Sequence, residues 1–389
     1  MRILQITKYF YPAISFGGPV QCTYNLSKYL VRRGHEVTVY ATDALNINTR
    51  ARITERCKII DGIKVFYFRN VAKIHGFFIS PSMIRVLQNN LDAFDVVHLH
   101  EYRTFQNLVF HRLNRNCVPY VLSCHGEFQY TKESLDAVLL RRLYEYGFGR
   151  KMAGDADRLL ALTPVEAAQF LNSDIERNKI VVIPNGVAPE DFLDVPCSGT
   201  FRKSYRISNG AIILYLGRIH EQKGIDVLVK AFALLSKGRN DVRLAIAGPD
   251  DGFLNYLTKL VERLDLSGKV VFTGALDRKQ VLAAYADASV IVYPSLHEGF
   301  AVVPLEAGIM GKPIIVSDVP ALDFVRKGRF GLTVEYGNVD QLRDAIETLL
   351  DNPELSRQFS ENGKEFVKKH YSWDVIGQKI EDTYRSVLR

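Results

Sequence analysis

A chain of 389 residues is too long for one hydrophobic core, because single cores stop growing at roughly 250–300 residues, and two domains are expected. The composition, 47% hydrophobic and 24% charged, excludes a disordered or low-complexity chain. No apolar run approaches the ~20 residues that span a bilayer, and the N-terminus enters a strand directly, without the pattern of a signal peptide. A cytosolic protein is expected.

The net charge of +7 is unevenly distributed. Residues 1–150 carry 20 Lys and Arg against 11 Asp and Glu, whereas residues 151–389 carry 30 against 32. A basic first half favours an anionic partner there, either a membrane surface or a phosphorylated acceptor. Nucleic acid is not expected, because the chain has no Lys/Arg run or known binding motif. The five cysteines form no CxxC pair and predict reduced thiols without a zinc site.

In the first half, short apolar runs alternate with helical patterns, which is typical of a parallel sheet covered by helices. The predicted strands are Arg2–Thr7, Glu36–Ala41, Ile63–Phe68, Val96–Leu99, Val118–Ser123, Leu159–Leu162 and Ile180–Ile183. The predicted helices are Val20–Arg33, Leu135–Met152 and Pro164–Leu171. After Pro184-Asn185-Gly186 the pattern loosens into a stretch rich in Pro, Gly and acidic residues, where we place the hinge.

A second series of the same kind follows. Its predicted strands are Ala211–Leu216, Val242–Ala247, Lys269–Phe272, Val290–Val292, Ile314–Val316 and Leu332–Val334. Its predicted helices are Ile225–Ser236, Phe253–Leu264, Arg278–Ala286, Val302–Ile309 and Val339–Leu350, and three closing helical patterns run to Arg389. Two such sheets with their carboxyl edges turned toward each other would form a ligand cleft.

In the first half, candidate site residues follow predicted strands. Gly17 and Gly18 lie in the first strand-to-helix turn, where glycines let a backbone approach a bulky ligand; the sequence does not fit the GxGxxG dinucleotide fingerprint. His125 follows a strand, where it could donate to a sugar hydroxyl or steady positive charge near the anomeric carbon. His98 and His100 are expected to be structural, with one of them pointing inward.

The pair Asp155 and Asp157 resembles a metal-binding DxD motif but precedes a strand, so loop and cap chemistry is expected. No cluster of His, Cys or carboxylates has convincing metal spacing, and no metal is predicted.

The second half carries the stronger signals. Arg218 and Lys223 flank a strand-to-helix loop from which both cations can reach a diphosphate. Further along, Glu298 lies in a turn and Glu306 about a turn into the next helix, and both are expected at the carboxyl edge of the sheet. Carboxylates accept hydrogen bonds from sugar hydroxyls, and amides at a helix start suit phosphate. The amides in question belong to Gly299, Phe300 and Ala301. The combination suits a nucleotide sugar.

These residues resemble the GT-B glycosyltransferases of family 4, which are retaining enzymes that use nucleotide-diphosphate sugars. The similarity runs nearly end to end. It is carried by Gly17-Gly18, Leu26–Val39, His125-Gly126, Ile183–Val187, Gly217-Arg218, Lys223-Gly224, Ala247-Gly248, Phe272–Gly274, Glu298–Phe300, Glu306-Ala307 and Gly311–Pro313.

The resemblance implies an α/β fold of two Rossmann-like parallel-sheet domains that face each other across a cleft. The N-terminal domain, 1–186, would bind the acceptor; the C-terminal domain, 187–371, would bind the nucleotide sugar; and a last helix, 372–389, would cross back onto the first domain. One departure from the family pattern is Gly308-Ile309-Met310, which bears on the pocket wall near the ribose.

The resemblance also implies a role for each site residue. Catalytic roles would fall to His125 near the reacting sugar, to Arg218 and Lys223 on the diphosphate, and to Glu298 on the donor sugar. The remaining donor-binding residues would be Gly17, Gly18, Gly248, Thr273, Gly274, Ala275, Leu276, Gly299, Phe300, Ala301 and Glu306. The family works without a metal, and retention is ascribed there to front-face attack, in which the leaving phosphate oxygen takes the acceptor's proton.

The sequence therefore predicts a metal-independent, retaining hexosyltransferase with a glycan or lipid-linked acceptor, in cell-envelope polysaccharide or glycolipid biosynthesis. Two aromatic or basic stretches, Ile74–Ile79 and 139–148, would flank the acceptor and favour a peripheral position on the inner face of the cell membrane. The alternatives are a nucleotide-sugar epimerase of the same architecture and a non-catalytic sugar-binding protein. The base, sugar, acceptor and oligomeric state are left open.

Overall fold

The computed structural model describes residues 1–46, 51–74, 76–126, 142, 144–207 and 209–388. The chain forms two compact units. The first comprises Met1–Gly186 and Trp373–Arg389, and the second comprises Val187–Ser372. The chain thus leaves the first unit directly after Pro184-Asn185-Gly186 and ends with a helix that belongs to the first unit.

The first unit is built on a mostly parallel sheet. Its strands are β1 (Arg2–Ile6), β2 (Glu36–Thr42), β3 (Cys57–Ile60), β4 (Ile63–Phe68), β7 (Val96–His100), β8 (Tyr120–Ser123), β9 (Arg158–Ala161) and β10 (Ile180–Val182), and β5 (Ala72–Ile74) and β6 (Phe77–Ile79) form a separate antiparallel hairpin. Among the described residues the sheet order is β10-β9-β8-β7-β1-β2-β4-β3, with β3 antiparallel to β4. The strand order reverses between β1 and β7, and in open α/β sheets ligands bind beside such a point.

The helices of the first unit are α1 (Gly18–Arg32), α2 (Pro81–Asn90), α3 (Phe105–Asn114), α4 (Arg150–Asp155), α5 (Pro164–Leu171) and the C-terminal α14 (Trp373–Val387). The sequence did not predict α2, α3, β3 or the hairpin. The predicted helix Leu135–Met152 lies partly outside the described residues, and its described end runs through a π-helical turn at Glu145–Gly149 into α4.

The second unit is built on a sheet whose strands are all parallel in the described part of the chain. Its strands are β11 (Ala211–Leu216), β12 (Val242–Ala247), β13 (Val270–Gly274), β14 (Val290–Tyr293), β15 (Ile314–Ser317) and β16 (Gly331–Val334), in the order β13-β12-β11-β14-β15-β16. This order is that of a doubly wound Rossmann sheet with its reversal between β11 and β14. Continuous apolar runs predicted these strands because both faces of a parallel sheet are buried.

The helices of the second unit are α6 (Thr200–Ser204), α7 (Ile225–Gly238), α8 (Leu254–Arg263), α9 (Arg278–Asp287), α10 (Val303–Ile309), α11 (Asp323–Lys327), α12 (Val339–Asp351) and α13 (Pro353–Tyr371). The three closing patterns expected from the sequence were wrong in number. After α12, the described chain holds two helices, the 19-residue α13 and then α14.

Helices α10 and α13 cross at two glycines. A Cβ added to Gly308 would lie 2.6 Å from the Val367 side chain, and one added to Gly363 would lie 3.1 Å from the Gly308 Cα. A Cβ on Gly308 would therefore displace the Val367 side chain, and one on Gly363 would require a smaller shift, so glycine at both positions lets the two helices approach closely. The departure from the family pattern at Gly308 is therefore explained by helix packing.

The C-terminal helix is fixed to the first unit by one buried carboxylate. Glu381, only 1% exposed, pairs with Arg33 at 3.3 Å, His35 at 3.1 Å and Arg385 at 2.6 Å. Burial alone would raise the pKa of Glu381, but hydrogen bonds from Arg385, His35 and Arg33 outweigh it and lower the pKa to about 2. Along the same helix, Gly377 lies against the Tyr29 ring of α1 with no room for a Cβ.

Candidate functional site

The loops after β11, β12 and β13 are joined backbone to backbone in the second unit. A Cβ on Gly248 would lie 1.8 Å from the Gly217 carbonyl oxygen, and the Gly248 N–H donates to the Gly274 carbonyl at 2.9 Å. Gly217, Gly248 and Gly274 all have positive φ, at 147°, 147° and 70°. The three predicted loops therefore form one continuous rim at the carboxyl edge of the sheet.

Lys223 and Glu298 come together beside this rim. The Lys223 Nζ lies 2.6 Å from the Glu298 Oε1, and the side chains are 12% and 9% exposed. The Tyr293 hydroxyl at the end of β14 donates to the same oxygen at 2.8 Å. Gly224 makes the approach possible, because a Cβ there would lie 2.1 Å from the Pro294 carbonyl oxygen. The structure thus joins the strand-end loops of β11 and β14 at the reversal of strand order.

Tyr293 is the third member of this cluster, and sequence patterns gave no sign of its role. Burial raises the pKa of Tyr293 well above its usual value, and the nearby Glu298 charge raises it further. The phenol therefore stays a hydrogen-bond donor. The Lys223 ammonium also lies 5.7 Å from the centre of the Tyr293 ring, within cation–π distance.

Arg218 lies in the same loop as Lys223 but has a different partner. Its guanidinium, 56% exposed, pairs with Asp251 in the loop after β12. Its carbonyl accepts a hydrogen bond from the buried Tyr215 hydroxyl at 2.9 Å. The hydrogen bond from Tyr215 holds the backbone of Arg218, while its guanidinium stays accessible to solvent and to an anion.

Glu306 is held by two residues of α9. Its Oε1 lies 3.1 Å from an Arg278 nitrogen and its Oε2 accepts from the Tyr285 hydroxyl at 2.9 Å. Burial raises the pKa of Glu306, and Arg278 opposes this only in part. A carboxylate offers about four acceptor positions, so two remain for hydroxyls of a ligand.

Arg278 was not predicted as a site residue. Its guanidinium lies 4.2 Å from the centre of the Phe192 ring and donates to the Asp191 carbonyl at 3.1 Å. The sequence signal was its place directly after Thr273–Leu276 at the start of a capped helix.

The remaining predicted residues of the second unit lie close to this edge of the sheet. Thr273 and Gly274 end β13, Ala275 and Leu276 follow, and Leu276 packs against the core. Gly299, Phe300 and Ala301 precede α10. The Phe300 ring stacks on Phe324 with centroids 5.4 Å apart and Ala301 is buried, so their side chains serve the core and only their backbone is available for a ligand.

In the first unit, His125 stands at the end of β8 in a strained conformation. Its φ is 52°, in the left-handed region, and Gly126 follows at 81°. The fully buried Glu166 accepts from the Gly126 N–H at 2.9 Å and from the Leu162 N–H at 2.7 Å. Burial raises the pKa of Glu166, and these two backbone hydrogen bonds offset the rise only in part. Glu166 thus fixes the turn that carries His125.

Glu166 was missed by the sequence reading. The signal was a capping-box spacing, Thr163 followed three residues later by Glu166 at the start of α5. The Thr163 oxygen does cap the helix, but the Glu166 carboxylate reaches beyond the cap to the β8 turn.

The expectation that only one of His98 and His100 points inward was wrong. Both are 1% exposed, because residues two apart on a strand share a face and this face of β7 is covered. His100 Nδ1 lies 3.0 Å from His125 Nε2. The two histidines therefore belong to the surroundings of His125.

Gly17 and Gly18 lie at the start of α1, after the turn that follows β1. The φ of Gly17, 84°, favours glycine, and a Cβ at either position would meet no atom of the described residues within 4 Å beyond the neighbouring backbone. The Glu101 carboxylate at the end of β7 accepts from the Lys8 N–H at 2.8 Å and so holds the start of this turn. The turns after β1, β7 and β8 follow neighbouring strands of the sheet.

No metal site is formed by the residues described: no group of three or more His, Cys, Asp or Glu side chains is placed to hold an ion. Asp157 accepts from the Tyr120 N–H at 2.9 Å and Asp155 lies 2.9 Å from His111 Nε2, so the DxD-like pair is engaged in loop and cap contacts. None of the described helices is both long and apolar enough to cross a membrane.

Two family models cover most of the chain. Residues 16–191 match Glycosyltransferase Family 4, and residues 199–366 match Glycosyl transferases group 1. With two Rossmann-like units, the protein is a glycosyltransferase of GT-B fold. The chain belongs to glycosyltransferase family 4.

Three similar proteins span nearly its whole length. An uncharacterized glycosyltransferase of Methanocaldococcus jannaschii is 28% identical over 100% of this chain and 99% of its own. A phosphatidyl-myo-inositol mannosyltransferase of Mycobacterium leprae is 29% identical over 100% and 97%. The crystal structure of Anabaena HepE with UDP-glucose superposes with a TM-score of 0.78 at 18% identity, covering 99% of this chain and 100% of that one.

Proposed function

We propose that this glycosyltransferase moves a hexose from a nucleotide-diphosphate sugar to a glycan or lipid-linked acceptor, with retention of configuration and without a metal. The observation that carries the proposal is the Lys223–Glu298 pair at 2.6 Å, placed where β11 and β14 end at the reversal of strand order. A fixed cation and a fixed carboxylate at this edge suit the phosphate and the hydroxyls of one ligand.

Arg218 and Lys223 would hold the diphosphate. As the bond from the sugar to phosphate breaks, negative charge accumulates on the leaving nucleoside diphosphate, and fixed cations stabilise that state more than the bound substrate. Arg218 can offer a fork of donors, whereas Lys223 offers a point charge. The Tyr293 hydroxyl would keep Glu298 in place when Lys223 turns to phosphate.

The carboxylates would orient the donor. Glu306, with two acceptor positions in use, would take the ribose hydroxyls, and Glu298 the donor sugar. The backbone of Gly299–Ala301 would face phosphate and sugar, and Gly248 with Thr273–Leu276 the base. We assign His125 to the transferred sugar and Gly17-Gly18 to the phosphate.

Retention would follow from attack on the face that the leaving group occupies. The acceptor hydroxyl oxygen forms the new bond to the anomeric carbon, the bond from that carbon to the phosphate oxygen breaks, and this phosphate oxygen takes the hydroxyl proton. Every atom and proton is accounted for without a protein nucleophile.

We assign the acceptor to the basic first unit, and a lipid-linked acceptor at an anionic membrane surface fits its charge. The β5–β6 hairpin exposes Ile74 and carries Lys73, and Tyr146 and Phe148 are exposed near α4. His75, Leu139–Arg141 and Leu143 of the two predicted stretches lie outside the described residues. Such aromatic and basic side chains suit a lipid interface. Flotation with anionic liposomes at low salt tests this, and absence of binding removes the membrane from the proposal.

The donor can be found by measuring the melting temperature with each nucleoside diphosphate in turn. UDP is the first to test, because the similar HepE structure holds UDP-glucose. The sugars of the stabilising nucleotide are then offered with lipid and glycan acceptors, and NMR of the product gives the anomeric configuration. We expect transfer with retention. An isomerised sugar formed without any acceptor would instead support an epimerase.

A further inference from the structure

A series of hydrogen bonds between buried polar side chains runs through the first unit behind His125. His125 Nε2 lies 3.0 Å from His100 Nδ1, and the His100 Nε2 meets the Gln5 amide oxygen. The Gln5 amide nitrogen donates to the Tyr384 hydroxyl at 3.3 Å, and that hydroxyl lies 2.6 Å from His98 Nδ1. The series ends at His98 Nε2, which lies 2.7 Å from Ser123 Oγ.

The residues behind His125 are shut off from water. Gln5 and Tyr384 are fully buried, and His98 and His100 are 1% exposed. Burial lowers the pKa of His100 well below its usual value, and the nearby His98 and His125 lower it further. His100 is therefore a neutral imidazole, with one N–H and one lone pair.

The Gln5 amide fixes which nitrogen of His100 carries the proton. An amide oxygen only accepts hydrogen bonds, so the Nε2 that faces it must donate. His100 Nδ1 then has the lone pair, and the neighbouring Nε2 of His125 has to supply the proton between them. The planes of the two rings differ by only 17°, which is compatible with an N–H···N bond that lies in the plane of both rings.

We propose that Gln5, acting through His100, is a positioning residue that fixes the tautomer of His125, with the proton on Nε2 and the lone pair on Nδ1. The tautomer assignment rests on the hydrogen-bond geometry around His100 and on the neutral state of that buried ring. Its consequence for the reaction rests on the proposed function: any sugar hydroxyl that meets Nδ1 of neutral His125 must donate to it. This reverses the sense of the contact expected from the sequence, in which His125 donates.

The decisive measurement is two-bond ¹H–¹⁵N correlation NMR of the histidine rings in the full-length protein labelled with ¹⁵N-histidine. The variant His125→Gln identifies the His125 signals by their loss. We expect a protonated Nε2 and an unprotonated Nδ1 at neutral pH. A proton on Nδ1, or a pattern averaged between the two tautomers, overturns the proposal.

Two substitutions of Gln5 should change the tautomer of His125 in different ways. Gln5→Leu removes the acceptor, so the His125 signals should average between tautomers. Gln5→Glu places a buried carboxylate beside His100 and favours its imidazolium, which would donate through Nδ1 and move the His125 proton to Nδ1. The matched control is Gln106→Leu, because Gln106 is equally buried in the first unit but donates to the Phe78 carbonyl. His125 should keep its tautomer there; an unchanged tautomer in Gln5→Leu refutes the role of Gln5.

Kinetics separate this inference from the proposed function. If both hold, Gln5→Glu lowers kcat for sugar transfer about tenfold, the worth of one hydrogen bond, and leaves nucleoside diphosphate binding unchanged. If the protein transfers no sugar, the proposed function fails while the NMR result still decides the tautomer. If transfer is observed but the wild type shows the proton on Nδ1, only the tautomer assignment fails.

Discussion

At the scale of single residues, the proposed role of Glu306 in binding the donor predicts a dependence of nucleotide affinity on pH. Its pKa is raised above the ordinary 4.5 by burial, which Arg278 offsets only in part. A raised pKa means that the carboxyl gains its proton at a higher pH than an exposed glutamate does. On acidification the wild type should therefore lose nucleotide affinity above pH 4.5.

The comparison variant is Glu306→Gln. It lacks the titrating group, so it should bind the nucleoside diphosphate about tenfold more weakly at pH 7. Titration of both proteins between pH 4 and pH 8 removes the contribution of the phosphates, which ionise in both. Identical pH profiles for the two proteins would contradict a role for Glu306 in holding the nucleotide.

Candidate site residues that lie in recognisable turns could be predicted from the sequence. The residues that hydrogen-bond to these turns and side chains could not. Lys223 and Glu298 follow predicted strands and were found from that position. Arg278, Tyr293 and Glu166 reach their partners through side-chain rotamers and helix packing. A helix-start pattern marks the positions of Arg278 and Glu166, but it does not show which residues they contact. Glu166 lies 40 positions from Gly126, whose N–H it accepts, so only the fold brings them together.

At the scale of elements, the C-terminal helix α14 depends on Glu381. Its pKa of about 2 lies below the ordinary 4.5, so the charged carboxylate stabilises the fold fully above pH 4.5, and this stabilisation is lost as the pH falls toward 2. Glu381→Gln should lower the melting temperature at pH 7, and the difference from the wild type should shrink below pH 4.5.

The matched control lies on the same helix. Asp374 pairs with Arg32 at 3.7 Å on the surface, where it is 82% exposed, and such pairs contribute little. Asp374→Asn should leave the melting temperature almost unchanged at every pH. Equal effects of the two substitutions in differential scanning calorimetry would show that the buried carboxylate has no special part in fixing α14.

Elements with a clear apolar run or hydrophobic period were predictable, and those defined by contacts with neighbouring elements were not. The apolar strands β4, β11 and β12 match the sequence prediction at both ends, as does helix α5. Strand β3 is largely exposed at the edge of the sheet and does not show the pattern of a half-buried strand, and α2 is short and buries only Met83 and Leu87. Both are defined by pairing and packing with the rest of the first unit.

At the scale of the whole molecule, the proposed assignment of the acceptor to the first unit and of the donor to the second agrees with their charge. The basic net charge lies in residues 1–150, whereas the paired cations and carboxylates of the proposed donor site lie in the second unit. Membership of family 4 could be read from the sequence because its motifs fall at strand ends. The nucleotide base, sugar and acceptor could not, since backbone groups such as those of Gly248 and Gly274 carry no side-chain signature.

The central claim, that the second unit grips a nucleoside diphosphate through Lys223, is tested most directly by isothermal titration of the stabilising nucleotide against two lysine variants. Lys230→Ala is the matched control, since Lys230 also pairs with a carboxylate, Asp226 at 2.8 Å, but on the exposed side of α7. We expect Lys223→Ala to weaken binding about 10- to 100-fold, the worth of a charge-assisted hydrogen bond, and Lys230→Ala to bind as the wild type. Equal affinity of wild type and Lys223→Ala would contradict the claim.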